Sequence, residues 1–140
     1  MSPDPATANL VERARQTIEA LGRRDFDAVL RVFASDAVYD ASSSGVGTFE
    51  GAAAIRGFAE DWLASYQEYE GRLEENEDLG SGVTFTVALF YGRLRGSTAR
   101  AQERWSYTAL WDSGVVSRMI ARADVDEARA AAERLAQERG

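Results

Sequence analysis

Between residues 69 and 123 the chain carries four long segments of strand character, 69–79, 83–95, 100–112 and 115–123. They are joined by Gly80-Ser81-Gly82, Gly96-Ser97-Thr98 and Ser113-Gly114. Short links that contain glycine connect antiparallel neighbours, so this half of the chain reads as a four-strand meander. Segment 83–95 is unusual in having two apolar faces. Phe85, Val87, Leu89 and Tyr91 alternate with Thr84, Thr86, Ala88 and Phe90, and a strand of that kind wants cover on both sides.

The half before the meander has helical period. Residues 1–8, with two prolines, read as a loose arm. Asn9 is an N-cap candidate with Glu12 at the third helical position, and Leu10, Val11, Ala14, Ile18 and Leu21 recur at helical spacing until Gly22. Asp25 opens a second short helix with Phe26, Val29, Leu30 and Phe33 on one face. Residues 37–41 are a strand candidate centred on Val38 and Tyr39, and 42–47 form a loop by composition. Gly51 precedes a third helix whose face, Ile55, Phe58, Trp62, Leu63 and Tyr66, is the richest apolar stripe in the chain. After the meander, Asp124 and Glu127 cap a last helix over 125–138, with Arg129–Glu133 and Arg134–Glu138 as i,i+4 pairs. Only Val125 and Leu135 give that helix large apolar contacts, so a lightly packed end is expected. Helices segregated from an antiparallel sheet make an α+β fold. Three helices against one face of a strongly curved sheet give a cone-shaped α+β barrel, whose mouth suits a small-molecule pocket.

Composition narrows the chemistry. The chain has no His, no Cys and no Lys, and all 16 basic residues are Arg. That removes the usual base near neutral pH, the thiolate nucleophile, the Schiff-base amine and the softer metal ligands. No cofactor and no metal are expected. A net charge of −7 repels phosphate backbones and anionic lipid, so neither nucleic acid nor a membrane surface is expected as a partner. No apolar run reaches the roughly 20 residues of a membrane helix, and the start shows no signal-peptide pattern, so the expected location is cytoplasmic. Arg in place of every Lys, with abundant Ala, fits a GC-rich bacterial genome.

Several motifs resemble the nuclear transport factor 2-like superfamily and, within it, the SnoaL-like proteins of bacteria. They are Arg24-Asp25-Phe26-Asp27-Ala28-Val29 running into Phe33-Ala34-Ser35-Asp36-Ala37-Val38-Tyr39-Asp40, then Phe49-Glu50-Gly51 with Ile55. The pair Glu103-Arg104-Trp105-Ser106-Tyr107 and Trp111-Asp112-Ser113-Gly114-Val115-Val116 completes them. The resemblance implies a cystatin-like α+β domain over residues 9–125 followed by a helical extension over 126–140. It also implies a range of activities, from isomerases, polyketide cyclases, dehydratases and epoxide hydrolases to members that only bind or associate, so fold alone does not select one. Position by position, the isomerases' base carboxylate falls at Ala41, next to Asp40. Their oxyanion Tyr falls at Thr17 and their second acid at Tyr107. The cyclases' His is missing, and the epoxide hydrolases' Arg is matched by Arg104 while Ser106 stands where they carry Asp.

The remaining candidates come from the strands and the third helix. Asp40, held in an apolar cavity, would have its charged form disfavoured and could act as a base; otherwise it caps the serine loop after it. Glu103, Trp105 and Tyr107 share one face, with Arg104 on the other. Glu103 is a second candidate acid, and Tyr107 a candidate hydrogen-bond donor to a developing oxyanion. Tyr39, Phe58, Trp62, Tyr66, Trp105, Tyr107 and Met119 are the candidate ligand-binding residues. The acidic run Glu74, Glu75, Glu77 and Asp78 lacks calcium-loop spacing and reads as a solvated strand end. The primary expectation is a small-molecule binder for a largely apolar ligand. The alternatives are an isomerase, cyclase or lyase using a cavity carboxylate, and a homodimer formed through the sheet face.

Overall fold

The computed structural model describes residues 5–140, with side chains from residue 10 onward. Helices α1 (Pro5–Gly22) and α2 (Phe26–Leu30) lead into β1 (Phe33–Ala41), a 3₁₀ turn (Ser42–Ser44) and β2 (Gly47–Glu50). Helix α3 (Ala52–Ala64) is followed by β3 (Tyr66–Gly80), β4 (Val83–Leu94), β5 (Arg100–Asp112), β6 (Val115–Arg122) and α4 (Val125–Arg139). The six strands form one sheet in the order β2-β1-β6-β5-β4-β3. Neighbours are antiparallel except β1 and β6, which run parallel. This is the α+β cone of the nuclear transport factor 2-like fold. Register shifts in β3, in β1 and between β5 and β6 add local twist and curl the sheet.

Several boundaries differ from the sequence reading. Helix α1 begins at Pro5 rather than after Asn9. Proline needs no amide partner in a first turn and has its φ already set, so the helix runs through the expected cap. The rest of the expected arm, residues 1–4, lies outside the described residues. Phe33 belongs to β1 rather than α2, because the carbonyl of Val32 already accepts from the Val116 amide at 2.7 Å. β2 was not expected at all, being only four residues long. Tyr66 opens β3 instead of continuing α3. Arg24 donates to the carbonyls of Leu63 and Tyr66 at 2.9 and 2.6 Å, and Arg95 to that of Ala64 at 3.2 Å. These guanidiniums satisfy the orphan carbonyls of the helix end, so the chain turns there.

The largest departure is α4. Its buried residues are Ala128, Ala132 and Ala136, one small residue per turn, which lets the helix lie close on the sheet. There Ala128 and Ala132 pack on Phe85 and Val87 with Leu79 and Val125. The expected pairs within the helix give way to pairs with the sheet: Arg129 with Glu75 and Glu77, and Arg139 with Asp112 at 2.8 Å. The acidic run is thereby absorbed, with Glu74 held by Arg104 at 2.5 Å. The two apolar faces of β4 both find cover within the chain. Phe85 and Val87 lie under α4, while Phe90, on the opposite face, is part of the core with Ile18 and Ala88. The convex apolar face that favoured a homodimer is thus covered there by the chain's own helix.

Candidate functional site

On the concave side the sheet, α1, α2 and α3 do not fill the space between them. A cavity of 110 Å³ remains, comparable in scale to engineered apolar cavities that take up benzene. Gly71 shapes its flank. A Cβ there would stand 2.8 Å from the Phe90 ring and 3.0 Å from Ile18, so glycine is what lets α1 and that ring seat on the strand. Helix α3 contributes Phe58 and Trp62, strand β5 contributes Trp105, Tyr107 and Trp111, and Tyr39, Tyr69 and Met119 complete the larger walls. No Asp, Glu or Arg is among the lining residues.

The aromatic walls are in mutual contact. Phe49 stacks on Phe58 at 4.3 Å between centroids, Phe58 meets Tyr39 at 5.3 Å and Trp62 at 5.8 Å, and Trp62 meets Trp105 edge-on at 6.3 Å. On the other flank Tyr66, Tyr69, Phe90 and Tyr107 form a second run. Such contacts fix ring orientation and make the lining rigid.

Most polar atoms around the cavity are already engaged. Trp111 Nε1 donates to Thr84 Oγ1 at 2.9 Å, Thr86 Oγ1 to Asn76 Oδ1 at 3.3 Å, Thr17 Oγ1 to the Arg13 carbonyl at 2.8 Å, and Trp62 Nε1 to Tyr69 Oη at 3.3 Å. Left to face a ligand are the hydroxyls of Tyr39 and Tyr107, with the Tyr69 hydroxyl engaged only as an acceptor. Burial pushes Tyr39 well above the ordinary phenol range, and the neighbouring Tyr107 hydroxyl draws it only partly back. Burial raises Tyr107 as well, with Tyr39, Tyr69 and Glu103 adding to it. Tyr69 is raised by burial against the opposing hydrogen bond from Trp62. All three therefore stay protonated at any ordinary pH, able to donate or accept a hydrogen bond but not to act as bases.

Of the residues singled out for ligand contact, Tyr39, Phe58, Trp62, Trp105, Tyr107 and Met119 line the cavity. Tyr66 does not; it packs on Tyr69 and over Gly92, where a Cβ would stand 2.5 Å from its ring. Asp40 lies on the convex side of β1, because its neighbours Tyr39 and Ala41 take the inward positions. Its carboxylate accepts from the Ser42 hydroxyl at 2.5 Å, the Ser42 amide at 3.0 Å, Thr48 Oγ1 at 3.4 Å and Arg118 at 2.9 Å. These contacts, Ser42 foremost, hold its pKa below the usual carboxylate value. Glu103 shares the concave face but stands outside the lining, half-buried beside Trp105. Arg104 points the other way, into a two-bond pair with Glu74. Tyr69, Thr84, Thr86 and Trp111 are lining residues that were not singled out beforehand. Alternation with Gly71 and Leu73 would have flagged Tyr69.

The family model of the SnoaL-like domain matches residues 14–131. The chain belongs to the SnoaL-like domain family. No curated protein matches it at a significant level. Among solved structures, a protein of nuclear transport factor 2-like fold and unknown function from Burkholderia pseudomallei is similar at 19% identity. That match has a TM-score of 0.72 and covers 87% of this chain and 95% of the other. An epoxide hydrolase-like structure from M. tuberculosis aligns at 17% identity and TM-score 0.71, covering 93% of each chain. A protein of ketosteroid isomerase-like fold from Catenulispora acidiphila, solved with trimethylamine, aligns at 14% identity and TM-score 0.70, covering 79% of this chain and 84% of its own. At these identities the likeness establishes the fold.

As a SnoaL-like domain the chain keeps the cone and its cavity, while Ala41 and Thr17 both line the cavity as small side chains. The site can enclose an apolar body and hydrogen-bond one polar group. Among the described residues its lining carries no carboxylate. Among the described residues no helix is long and apolar enough to cross a membrane.

Proposed function

We propose that this SnoaL-like domain binds a small, largely apolar molecule in the aromatic cavity, anchored by the hydroxyl pair of Tyr39 and Tyr107. The observation that carries this reading is the lining itself: aromatic and aliphatic walls, no charged side chain among the described residues, and tyrosines that burial keeps neutral. Few, well-placed polar groups in an apolar pocket are how small-molecule sites fix orientation. Isomerase, cyclase or lyase chemistry needs a base within reach of the ligand, and both Asp40 and Glu103 stand outside the lining.

The test is thermal stabilisation by a small aromatic ketone such as acetophenone, since a ligand that binds only the folded state raises Tm with concentration. Saturable stabilisation should persist in Asp40→Asn and Glu103→Gln. It should weaken about two- to tenfold in affinity in Tyr107→Phe, the value of one hydrogen bond. A ketone that turns over, or binding indifferent to Tyr107 and to the cavity walls, would overturn the reading.

A further inference from the structure

Glu103 is the one half-buried carboxylate near the site that the binding reading leaves unused. The ladder pairs it with Phe90 across the β4–β5 register, which puts its side chain on the concave face beside that ring. Phe90 is stacked on Tyr69 at 5.2 Å and edge-on to Tyr107 at 6.3 Å. Tyr66 lies 4.9 Å from Tyr69, and Trp105 donates its indole N–H to Glu103 Oε2 at 3.3 Å. Trp105 in turn stands perpendicular to Trp62.

Among the described residues no Arg forms an ion pair with this carboxylate. Among the described residues, Asp27, Asp40, Glu68, Glu74, Glu75 and Asp112 each hold an Arg, while Glu103 has no ion pair and only the indole as side-chain partner. A carboxylate so placed stands without a paired cation beside an aromatic cavity. Aromatic faces carry the negative side of a quadrupole and attract cations, an attraction that grows on desolvation. Rings and carboxylate act in the same sense, and no lining Arg opposes them.

We propose that the preferred ligands are small tertiary or quaternary ammonium compounds, with the cationic head seated against Trp62, Trp105 and Glu103 at the cavity edge and the apolar remainder in the cavity. This rests on the binding reading and adds charge selectivity to it. Anionic ligands are excluded by the same field. Glu103 acts as a specificity determinant through charge and supplies no chemistry.

The experiment compares choline with its neutral isostere 3,3-dimethylbutan-1-ol by tryptophan fluorescence and NMR titration of the full chain. Choline should bind about tenfold more tightly, the scale of a partly desolvated cation–π contact with a nearby counter-charge. Glu103→Gln, which can still accept from the Trp105 indole, should bring the two probes within about threefold without altering the affinity for the alcohol. Trp62→Leu should weaken choline more than the alcohol. Equal or tighter binding of the alcohol to the native chain, a charge preference that survives Glu103→Gln, or no binding of choline at millimolar concentration would each overturn the proposal. Saturable binding of acetophenone under those same outcomes would leave the underlying cavity reading standing, and its failure would remove both.

Discussion

Filling the cavity should make the protein more stable and abolish binding together. Ala109 is 3% exposed, lines the cavity, and lies opposite Met119 across the β5–β6 ladder and opposite Thr84 across the β4–β5 ladder. Ala109→Leu adds three carbons into that space. At about 24 cal/mol per Å³ of cavity removed, filling most of the 110 Å³ would contribute about 2 kcal/mol. Independently, three buried carbons at about 0.8 kcal/mol each would contribute about 2.4 kcal/mol. Allowing for some lost rotamer freedom, the gain should be about 2 kcal/mol. With about 2.1 cal/mol/K of unfolding entropy per residue, 140 residues give about 0.3 kcal/mol per degree, so Tm should rise by about 7 °C. The assay is a thermal scan with and without acetophenone, backed by urea unfolding to confirm an unchanged m-value. The variant should show the higher Tm and no ligand-dependent increase. A fall in Tm would mean that the space beside Ala109 is already filled and the side chain overpacks it. A rise with undiminished ligand stabilisation would mean that binding happens elsewhere. Either result refutes the argument.

Four further outcomes follow from named contacts. Thr84→Val keeps the volume but leaves the buried Trp111 indole N–H without its acceptor; urea unfolding should show a loss of about 1–3 kcal/mol, and an unchanged midpoint would mean the indole has another partner. Ala41→Asp places a carboxylate in the apolar cavity, where burial raises its folded pKa above the unfolded value of about 3.9; its stability deficit relative to the native chain should be smallest below about pH 4 and grow as pH rises, and a pH-independent deficit would refute the inward placement of residue 41. Asp40 has its folded pKa depressed, so its contribution is present above about pH 4 and lost as pH falls through the folded value; Asp40→Asn should flatten the acid limb of a midpoint-versus-pH curve, and superimposable limbs would contradict the Ser42 and Arg118 contacts. Tyr39, Tyr69 and Tyr107 have raised folded pKa values, so stability is full below the unfolded value of about 10 and declines above it; phenolate absorbance from these three should appear only together with loss of near-UV circular dichroism.

The strands were legible because their signal is local. Alternation and glycine links fix β4, β5 and β6 to within a residue or so of their observed ends, and the same alternation correctly sends Trp105 and Tyr107 to one face and Arg104 to the other. What was not legible depends on partners distant in sequence. The end of α3 is decided by Arg24 and Arg95 reaching its carbonyls. Such contacts join residues more than 30 positions apart and leave no periodic trace. Helix α4 looked poorly anchored because large apolar residues are what sequence reading counts. Its anchor is close approach through Ala128, Ala132 and Ala136 and ion pairs to β3 and β5, which composition disguises as weakness.

Strand parity decides which acid faces the cavity. In a strand, one residue's displacement exchanges the cavity for solvent. The resemblance to catalytic members of this fold implies a carboxylate at position 41, and the chain has Asp at 40. Pairing of Tyr39 with Phe49 and with Met119, and the inward lining by Tyr39 and Ala41, put Asp40 on the far side of the sheet, where Ser42, Thr48 and Arg118 satisfy it. The acid nearest the cavity is then Glu103, displaced two residues along β5 from the lining Trp105 and four from Tyr107. It stands outside the lining that the hydroxyl pair shares, and its charge bears on Tyr66, Tyr69 and Tyr107. On the proposed reading, a cone with an acid at its rim and none on its floor selects its ligand by charge.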